Sequence, residues 1–264
     1  MVGASLARVR AESPLVHNIT NFVVMNTTAN ALLALGASPV MAHAEDEVEE
    51  MVGLARALVL NIGTLDDAWV GAMLLAGRAA RRRGVPVVLD PVGAGATQYR
   101  TETARRLLAE VAPTIVRGNA SEIRALGGGA GGTRGVDSVH ETEAALDAAR
   151  SLAAAHGCVV SVSGAVDLVV AGDQIARVRN GVPLMTRVTG MGCTASALTG
   201  AFAAVAASPF VAAAHAMVVL GVAGELAAER AAGPGSLQVE ILDALASLRP
   251  EDVDRRARLE GSPG

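Results

Sequence analysis

Two glycines and a cysteine stand together at the start of a long helical pattern, in the segment RVTGMGCTASALTGAFAA (187–204). Gly190 and Gly192 let the backbone approach a ligand closely, and the first turn of a helix leaves N–H groups unpaired at its positive end. This pattern predicts an anion hole for a phosphoryl group. Cys193 lies in that first turn, where we expect the dipole to lower the pKa of its thiol, so it is a candidate to accept a proton from an alcohol. An ordinary Gly-rich turn with a small buried cysteine is the alternative interpretation.

Three charged residues lie at or just after the ends of predicted strands earlier in the chain. Asp90 ends the strand in VVLDPVGAGAT (87–97), and a carboxylate at the carboxyl edge of a parallel sheet can hold Mg²⁺ directly or through water, although Asp-Pro is also a common turn. Arg117 ends the next strand, where its guanidinium fork suits phosphate oxygens better than it suits a surface salt bridge. Glu122, three residues after Asn119, is explained by a capping arrangement at a helix start.

Short apolar runs alternate with helical patterns in the first half of the chain. They predict strands over 57–63, 86–93 and 113–119, and helices over 65–84, 100–111 and about 120–126. Strand–helix units in this order imply a parallel sheet covered by helices on both faces. Residues 157–183 contain three short strand-like runs separated by turns, which predict an antiparallel addition, and Ala-rich helices follow to about residue 229.

The composition limits the partners of the chain. It has 264 residues and a net charge of −4, with 51% hydrophobic and 2% aromatic residues, so we expect one domain over residues 1–264 and no nucleic-acid binding. The basic cluster from Arg81 to Arg83 suits the negative end of a helix. From Arg249 the chain is charged and ends in GSPG, so residues 249–264 are expected to form a loose tail.

The uncharged segment 200–224 is long enough to raise the question of a membrane span. Because Ser208-Pro209 divides it, two buried helices joined there are the better interpretation, and no membrane partner is expected. Two cysteines make no disulfide scaffold and the N-terminal segment lacks a signal-peptide pattern, which predicts a cytoplasmic protein; Cys158 suits a small buried position. GGGAGG (127–132) lacks the Lys and Ser or Thr of a phosphate loop, so a flexible surface loop is favoured over a phosphate cradle.

The tetrapeptide Gly190-Met191-Gly192-Cys193 resembles the Gly-Ala/Thr-Gly-Asp motif of ribokinase-like kinases, where Asp is the catalytic base and the preceding amides form the anion hole. Hydroxyethylthiazole kinases look the same except that Cys replaces Asp. Met191 departs from the usual small residue or Thr, but its backbone amide is still present. The segment SPLVHNITNFVVMNTTANALLALGASPVMAHAEDEVEEM (13–51) resembles the N-terminal signature of this family and is far more specific. The similarity covers nearly the whole chain.

This resemblance implies a ribokinase-like three-layer fold, with a mostly parallel central sheet and helices on both faces. It implies that the γ-phosphoryl group of ATP moves to the primary alcohol of 4-methyl-5-(2-hydroxyethyl)thiazole, with Mg²⁺ as cofactor. It also implies a homotrimer whose active sites lie at subunit interfaces.

The resemblance assigns the thiazole side of the site to four residues. Asn21, Met41 and Gly190 would bind the substrate, and Cys193 would deprotonate or orient its hydroxyl group. From the residues alone, Asn21 can instead cap a helix starting at Phe22, and Met41 can be a core residue.

The resemblance assigns the nucleotide and metal side to four others. Arg117 and Ser163 would bind ATP, with Ser163 standing where the family usually has Thr. Asp90 and Glu122 would lie at the Mg²⁺ site.

The sequence alone is also compatible with other functions on the same fold. An ATP-dependent hydrate dehydratase would keep Asp where this chain has Cys193. The N-terminal signature disfavours a sugar or pyrimidine kinase. A non-catalytic thiazole- or nucleotide-binding module would bind both ligands without releasing ADP.

Overall fold

The computed structural model describes residues 1–128 and 138–261, with side chains from residue 144 onward in the second stretch. The helices are α1 Val2–Glu12, α2 Met25–Leu35, α3 Val48–Leu54, α4 Asp67–Arg83, α5 Gln98–Val111, α6 Ala120–Leu126, α7 Ser138–His156, α8 Met191–Ala203, α9 Pro209–Ala228, α10 Pro234–Ser247 and α11 Pro250–Arg256. The strands are β1 Leu15–Ile19, β2 Ser38–Val40, β3 Ala57–Asn61, β4 Val87–Asp90, β5 Ile115–Asn119, β6 Val159–Ser163, β7 Asp167–Ala171, β8 Gln174–Val178 and β9 Leu259–Glu260. A short 3-10 helix spans Pro183–Arg187.

The strands of the described residues form one sheet in the order β2-β1-β3-β4-β5-β6-β7-β8-β9. Strands β1 to β6 pair in parallel, and β7, β8 and β9 are added antiparallel. The parallel part brings the carboxyl ends of β3, β4 and β5 to one edge, where Asn61 and Asp90 lie in register. Both the parallel sheet and its antiparallel addition are therefore confirmed.

Each face of the sheet is covered by helices with its own apolar core. One core joins the sheet to α1, α2, α8, α9, α10 and α11, and the other joins it to α3, α4, α5, α6 and α7. Strand β3 is buried along its whole length, as expected for a strand that is covered on both faces. The predicted three-layer arrangement is confirmed.

Local signals place the helix ends well. The side chain of Asp66 caps α4 by accepting a hydrogen bond from Trp69 N at 2.9 Å, and Gly84 ends the helix with φ 68°. Arg81 to Arg83 occupy its last turn. The predicted capping arrangement of α6 is also present.

The expected loose tail is wrong for residues 249–261. Helix α11 buries Val253 completely, and β9 pairs with β8 at the edge of the sheet. Backbone pairing with an open sheet edge and burial of one apolar side chain hold this segment in place despite its charge. Residues 262–264, and residues 129–132 of the segment GGGAGG, lie outside the described residues.

The apolar stretch at 200–224 forms parts of two helices, as predicted. Helix α8 ends at Ala203, in the first part of this stretch, and α9 begins at Pro209. Ser208 caps α9 by accepting a hydrogen bond from Val211 N at 3.3 Å. Helix α9 is long and apolar enough to cross a membrane by length and composition, but 83% of its apolar window is buried inside the protein. It is the core helix beneath the antiparallel side of the sheet.

Candidate active site

Helix α8 begins with backbone amides that have no partner within the helix. Gly190 is its N-cap, in the left-handed region with φ 79°, and its carbonyl accepts the first helical hydrogen bond, from Thr194 N at 2.8 Å. The amides of Met191, Gly192 and Cys193 therefore stand at the positive end of the helix. An anion hole requires such amides, and anion binding by Gly190, Met191 and Gly192 stays a prediction.

Arg117 lies directly beside these amides. Its side chain is 5% exposed, and its Nε donates no hydrogen bond within the described residues. A Cβ atom on Gly192 would come within 2.6 Å of Arg117 Nη1, so the guanidinium lies against the first turn of α8. A buried cation with an unpaired donor, next to free amides, favours binding of an anion.

A chain of polar side chains connects Cys193 to the centre of the sheet edge. Asn21 Nδ2 donates to Cys193 Sγ at 3.5 Å and to Asn61 Oδ1 at 2.8 Å. Asn61 Nδ2 donates to Asp90 Oδ2 at 2.8 Å, and Ser196 Oγ donates to the same oxygen at 2.7 Å. Five side chains thus form one hydrogen-bonded network: Cys193, Asn21, Asn61, Asp90 and Ser196.

Burial raises the pKa of the Asp90 carboxyl to about 6, and the nearby Glu122 charge acts in the same direction. The charge of Arg117 and the hydrogen bonds from Ser196 and Asn61 act in the opposite direction. An isolated carboxylate would not stay ionised at this depth, so these partners keep its charge available near neutral pH.

The expected lowering of the Cys193 thiol pKa is wrong. Burial raises the pKa of this thiol, and the neighbouring Asp90 charge raises it further. The hydrogen bonds from Asn61 and Asn21 and the charge of Arg117 lower it, but they do not reverse the direction. Desolvation and a like charge therefore outweigh the two asparagine hydrogen bonds and the charge of Arg117, and Cys193 is a neutral thiol at neutral pH.

Glu122 supports two backbone segments at the site. Its Oε2 accepts from Asn119 N at 2.8 Å in the capping box of α6, and its Oε1 accepts from Gly93 N at 2.9 Å in the loop after β4. Both carboxylate oxygens are thus already used by backbone amides. The capping interpretation of Glu122 is confirmed, and its carboxylate also fixes the loop that follows Asp90.

A cavity of about 690 Å³ opens in front of these groups. Its polar lining includes Asp90, Arg117, Glu122 and the first turn of α8. Further walls come from the β6–β7 turn, from the segment after β8 and from α9. The lining residues of these walls include Ser163, Gly164, Ala165, Asp167, Val182, Pro183, Met185, Met217 and Leu220.

Two predicted substrate residues, Asn21 and Met41, are not in the lining of this cavity. Asn21 reaches the site through its hydrogen bond to Cys193, whereas half-buried Met41 follows β2. The expectation that Asn21 caps a helix from Phe22 is wrong, because α2 begins at Met25 without a side-chain cap. Asn21 Oδ1 instead accepts from Val23 N at 3.1 Å and so shapes the turn before the helix.

Three further site residues, Asn61, Ser196 and Asp167, are not singled out by the sequence patterns. Asn61 ends β3 just as Asp90 ends β4, so its position at a parallel strand end was a usable signal. Ser196 lies about one helical turn after Cys193, on the helix that the glycine pattern predicts. Asp167 is 8% exposed, lines the cavity, and accepts from Gly164 N at 3.0 Å.

The family model described as the hydroxyethylthiazole kinase family matches residues 6–251. The chain belongs to the hydroxyethylthiazole kinase family. It is 60% identical to a hydroxyethylthiazole kinase of Syntrophus aciditrophicus over 97% of this chain and 95% of the relative. It is 57% identical to one of Leptothrix cholodnii over 97% of this chain and 94% of the relative.

Solved structures agree with this assignment. A hydroxyethylthiazole kinase protein of Pyrococcus horikoshii OT3 superposes with a TM-score of 0.91 at 47% identity, covering 99% of this chain and 98% of that one. A pyridoxal kinase of Staphylococcus aureus gives a TM-score of 0.63 at 18% identity over 80% of this chain and 87% of that one, a likeness of fold alone. The fold is ribokinase-like, and the sequence resemblance to hydroxyethylthiazole kinases is confirmed.

Proposed function

We propose that this protein transfers the γ-phosphoryl group of ATP to the primary alcohol of 4-methyl-5-(2-hydroxyethyl)thiazole, giving the thiazole phosphate used for thiamine. One observation carries the proposal. The first-turn amides of α8, the guanidinium of Arg117, whose Nε has no partner among the described residues, and Cys193 all line one cavity. Phosphoryl transfer depends mainly on positioning and on charge stabilisation, and this cavity supplies both.

The sheet order separates two sides of the proposed site. Asn21 and Met41 follow β1 and β2, on one side of Asp90, while Arg117 and Ser163 lie on β5 and β6, on the other. We assign the first side to the thiazole and the second to ATP. The amides of α8 and Cys193 lie between them, where the transferring group has to pass.

Cys193 orients the hydroxyl group in this proposal, and it does not act as a base. Its pKa is raised, so the thiolate is scarce at neutral pH. In a loose transition state little charge builds up on the attacking oxygen, so a neutral group that aligns the hydroxyl is sufficient. Asn21 holds the sulfur from behind through its 3.5 Å contact.

The acidic residues fit a Mg²⁺ ion that keeps much of its water shell. Both hydrogen bonds that Asp90 accepts from described residues reach Oδ2, while the oxygens of Glu122 accept backbone amides. No cluster of three or more potential ligands among His, Cys, Asp and Glu exists within the described residues. Mg²⁺ is commonly held by one or two carboxylates together with substrate phosphates and water, which suits Asp90 directly and Glu122 through water. When bound, the ion would neutralise the polyphosphate.

We further propose a cytoplasmic homotrimer in which each chain is one catalytic domain. Phe22 and Val23, next to Asn21, are each 64% exposed, and a second subunit would bury them and complete the thiazole side. Both cysteines are free, as suits a reducing compartment. Light scattering should give three times the 26.6 kDa mass of one chain; a monomer at micromolar concentration would refute the trimer.

The function is tested by coupled measurement of ADP release. The thiazole alcohol, hydroxymethylpyrimidine and ribose are compared side by side at saturating ATP and Mg²⁺. We expect turnover that depends on the thiazole alcohol, with the other two acceptors far weaker. Absence of thiazole-dependent turnover in folded protein would remove the assignment, and binding of both ligands without ADP release would indicate a non-catalytic module.

A further inference from the structure

A short segment after β8 forms one wall of the cavity. Residues 180–186, which we call the distal wall, include Asn180, Gly181, Val182 and Met185 in the cavity lining. The wall follows β8 and includes most of the 3-10 helix, and it takes part in no strand pairing among the described residues. Something other than the sheet must therefore set its position.

Glu225 of α9 holds the wall from outside the cavity. Its Oε1 accepts from Gly181 N at 2.8 Å and from Asn180 Nδ2 at 3.1 Å. The same oxygen is paired with the guanidinium of Arg258 in the segment before β9. Glu225 does not line the cavity, so its contact with a ligand would have to be indirect.

The C-terminal segment also holds the wall, through the side chain of Asn180. Asn180 Nδ2 also donates to Arg256 O at 2.9 Å, and Asn180 Oδ1 accepts from Arg258 N at 2.7 Å. The side chain of Asn180 is thereby tied at both ends, with Glu225 on one side and the chain before β9 on the other.

Helix α9 has glycine at the two positions, 221 and 224, that face the wall. A Cβ atom on Gly221 would lie 2.5 Å from Asn180 Cβ, and one on Gly224 would overlap the sulfur of Met185. The wall thus lies directly on the helix backbone, one turn from Glu225. Close packing of this kind fixes a surface to within a fraction of an ångström, provided that its polar anchor stays in place.

We propose that Glu225 is a positioning residue for ATP: it fixes the distal wall and so sets the fit of the nucleotide without touching it. This inference rests on the proposed function, in which Arg117 and Ser163 mark the nucleotide side. The distal wall continues that side of the sheet, beyond β6 and β7, and it is remote from Asn21 and Met41. Loss of the anchor should therefore weaken ATP binding and leave thiazole binding nearly unchanged.

The test compares Glu225→Ala and Glu225→Gln with a control, Glu229→Gln. Gln retains an acceptor oxygen for Gly181 and Asn180, whereas Ala removes it. Glu229 is matched because it also joins the end of α9 to the C-terminal segment, through Arg256 at 3.1 Å, but among the described residues it forms no hydrogen bond with the wall. The measurements are kcat, KM for ATP, KM for the thiazole alcohol, and the Kd of ADP by calorimetry.

We expect Glu225→Ala to raise KM for ATP and the Kd of ADP by roughly tenfold, with KM for the thiazole alcohol within about twofold. Glu225→Gln should recover most of the affinity, and Glu229→Gln should behave as the wild type. Arg258→Met leaves the Glu225 carboxylate without its cation and should weaken ADP binding by about two- to threefold. This variant replaces Glu225→Ala in the test if Glu225→Ala does not fold.

An unchanged Kd of ADP in Glu225→Ala, or in Arg258→Met where Glu225→Ala does not fold, would overturn the inference. Equal rises in both KM values, or the same loss in Glu229→Gln, would show a general structural effect and would also overturn it. The ADP titration needs no thiazole turnover. If the wild type did not phosphorylate the thiazole, the proposed function would fail while the role of Glu225 in nucleotide binding was still measured.

Discussion

The guanidinium of Arg117 occupies the space that a side chain on Gly192 would need. A Cβ atom there would lie 2.6 Å from Nη1, and 3.6 Å from the central carbon of the guanidinium. Arg117 comes from β5 and Gly192 from the first turn of α8, so the two elements approach this closely only because position 192 has no side chain. The cation and the amides can then act on the same phosphate.

Gly192→Ala should therefore separate Arg117 from the amides of α8. We expect kcat/KM to fall by roughly 10²–10³, as for the loss of one oxyanion-hole donor, while the thermal midpoint changes by only a few degrees. Gly235→Ala in α10 is the matched control, since a Cβ there meets nothing within 4 Å. Wild-type activity of Gly192→Ala would contradict the joint role of Arg117 and the anion hole.

Substitution of Cys193 distinguishes an orienting group from a base. If the neutral thiol aligns the hydroxyl, Cys193→Ser should lose about tenfold or less in kcat and Cys193→Ala at least about 100-fold. If it is a base, Cys193→Asp should retain or raise kcat, whereas Cys193→Ser should be as poor as Cys193→Ala.

The pH profile gives a second, independent reading of the same question. Because the pKa of the Cys193 thiol is raised, a base role requires kcat to increase with pH on the alkaline side as thiolate forms. An orienting role predicts a flat profile there, shared by the wild type and Cys193→Ser. An alkaline rise that is lost in Cys193→Ser would refute orientation alone.

Asp167 should reduce stability at neutral pH. Burial raises the pKa of its carboxyl from an ordinary 3.8 to about 6, against the opposing effects of Gly164 N–H and Arg117. The folded state thus binds this proton more tightly than the unfolded chain, so stability falls as pH rises from about 4 to about 6, by at most roughly 3 kcal/mol. Asp167→Asn, which can still accept from Gly164, should raise the free energy of unfolding at pH 7.5.

Urea unfolding of Asp167→Asn at several pH values checks this expectation. The gain should be about 1–2 kcal/mol at pH 7.5 and should fall to about 0.5 kcal/mol or less near pH 4, where the wild-type carboxyl is protonated in the folded state and about half protonated in the unfolded chain. Asp173→Asn, at an exposed position in the β7–β8 turn, is the control and should change little. A gain that stays undiminished at pH 4 would mean that ionisation is not the cause.

Arg10 joins the C-terminal ends of two helices. Its guanidinium donates to Leu245 O at 2.9 Å and Leu248 O at 2.7 Å at the end of α10, and to Leu35 O at 3.3 Å at the end of α2. Arg10→Met keeps the apolar stem but leaves these carbonyls unpaired, so we expect a loss of about 1–3 kcal/mol in the free energy of unfolding.

Thermal and urea unfolding measure the effect of Arg10→Met. The matched control is Arg8→Met on the same helix, where the exposed Arg8–Glu12 ion pair should contribute no more than about 0.5 kcal/mol. Similar losses in the two variants would contradict a capping role for Arg10.

Local chemistry let the sequence predict much of the fold and part of the site. The caps of α4 at Asp66 and Gly84 and the capping box of Asn119 and Glu122 depend on residues a few positions apart, so they can be read directly. Gly190 and Gly192 are also a local signal, because the positive φ of the first and the missing side chain of the second define the start of α8. The family signature extended this reading to the whole chain.

Tertiary structure alone decided which distant side chains meet and in what environment. Asp90 receives hydrogen bonds from Asn61 and Ser196, which are 29 and 106 residues away along the chain. The direction of the Cys193 pKa shift was missed because burial and the charge of Asp90 appear only when β4 and α8 are packed together. The pairing of β9 with β8 and the anchoring of the distal wall by Glu225 were invisible for the same reason. Strand order, register and desolvation are properties of the assembled sheet, and no short stretch of sequence contains them.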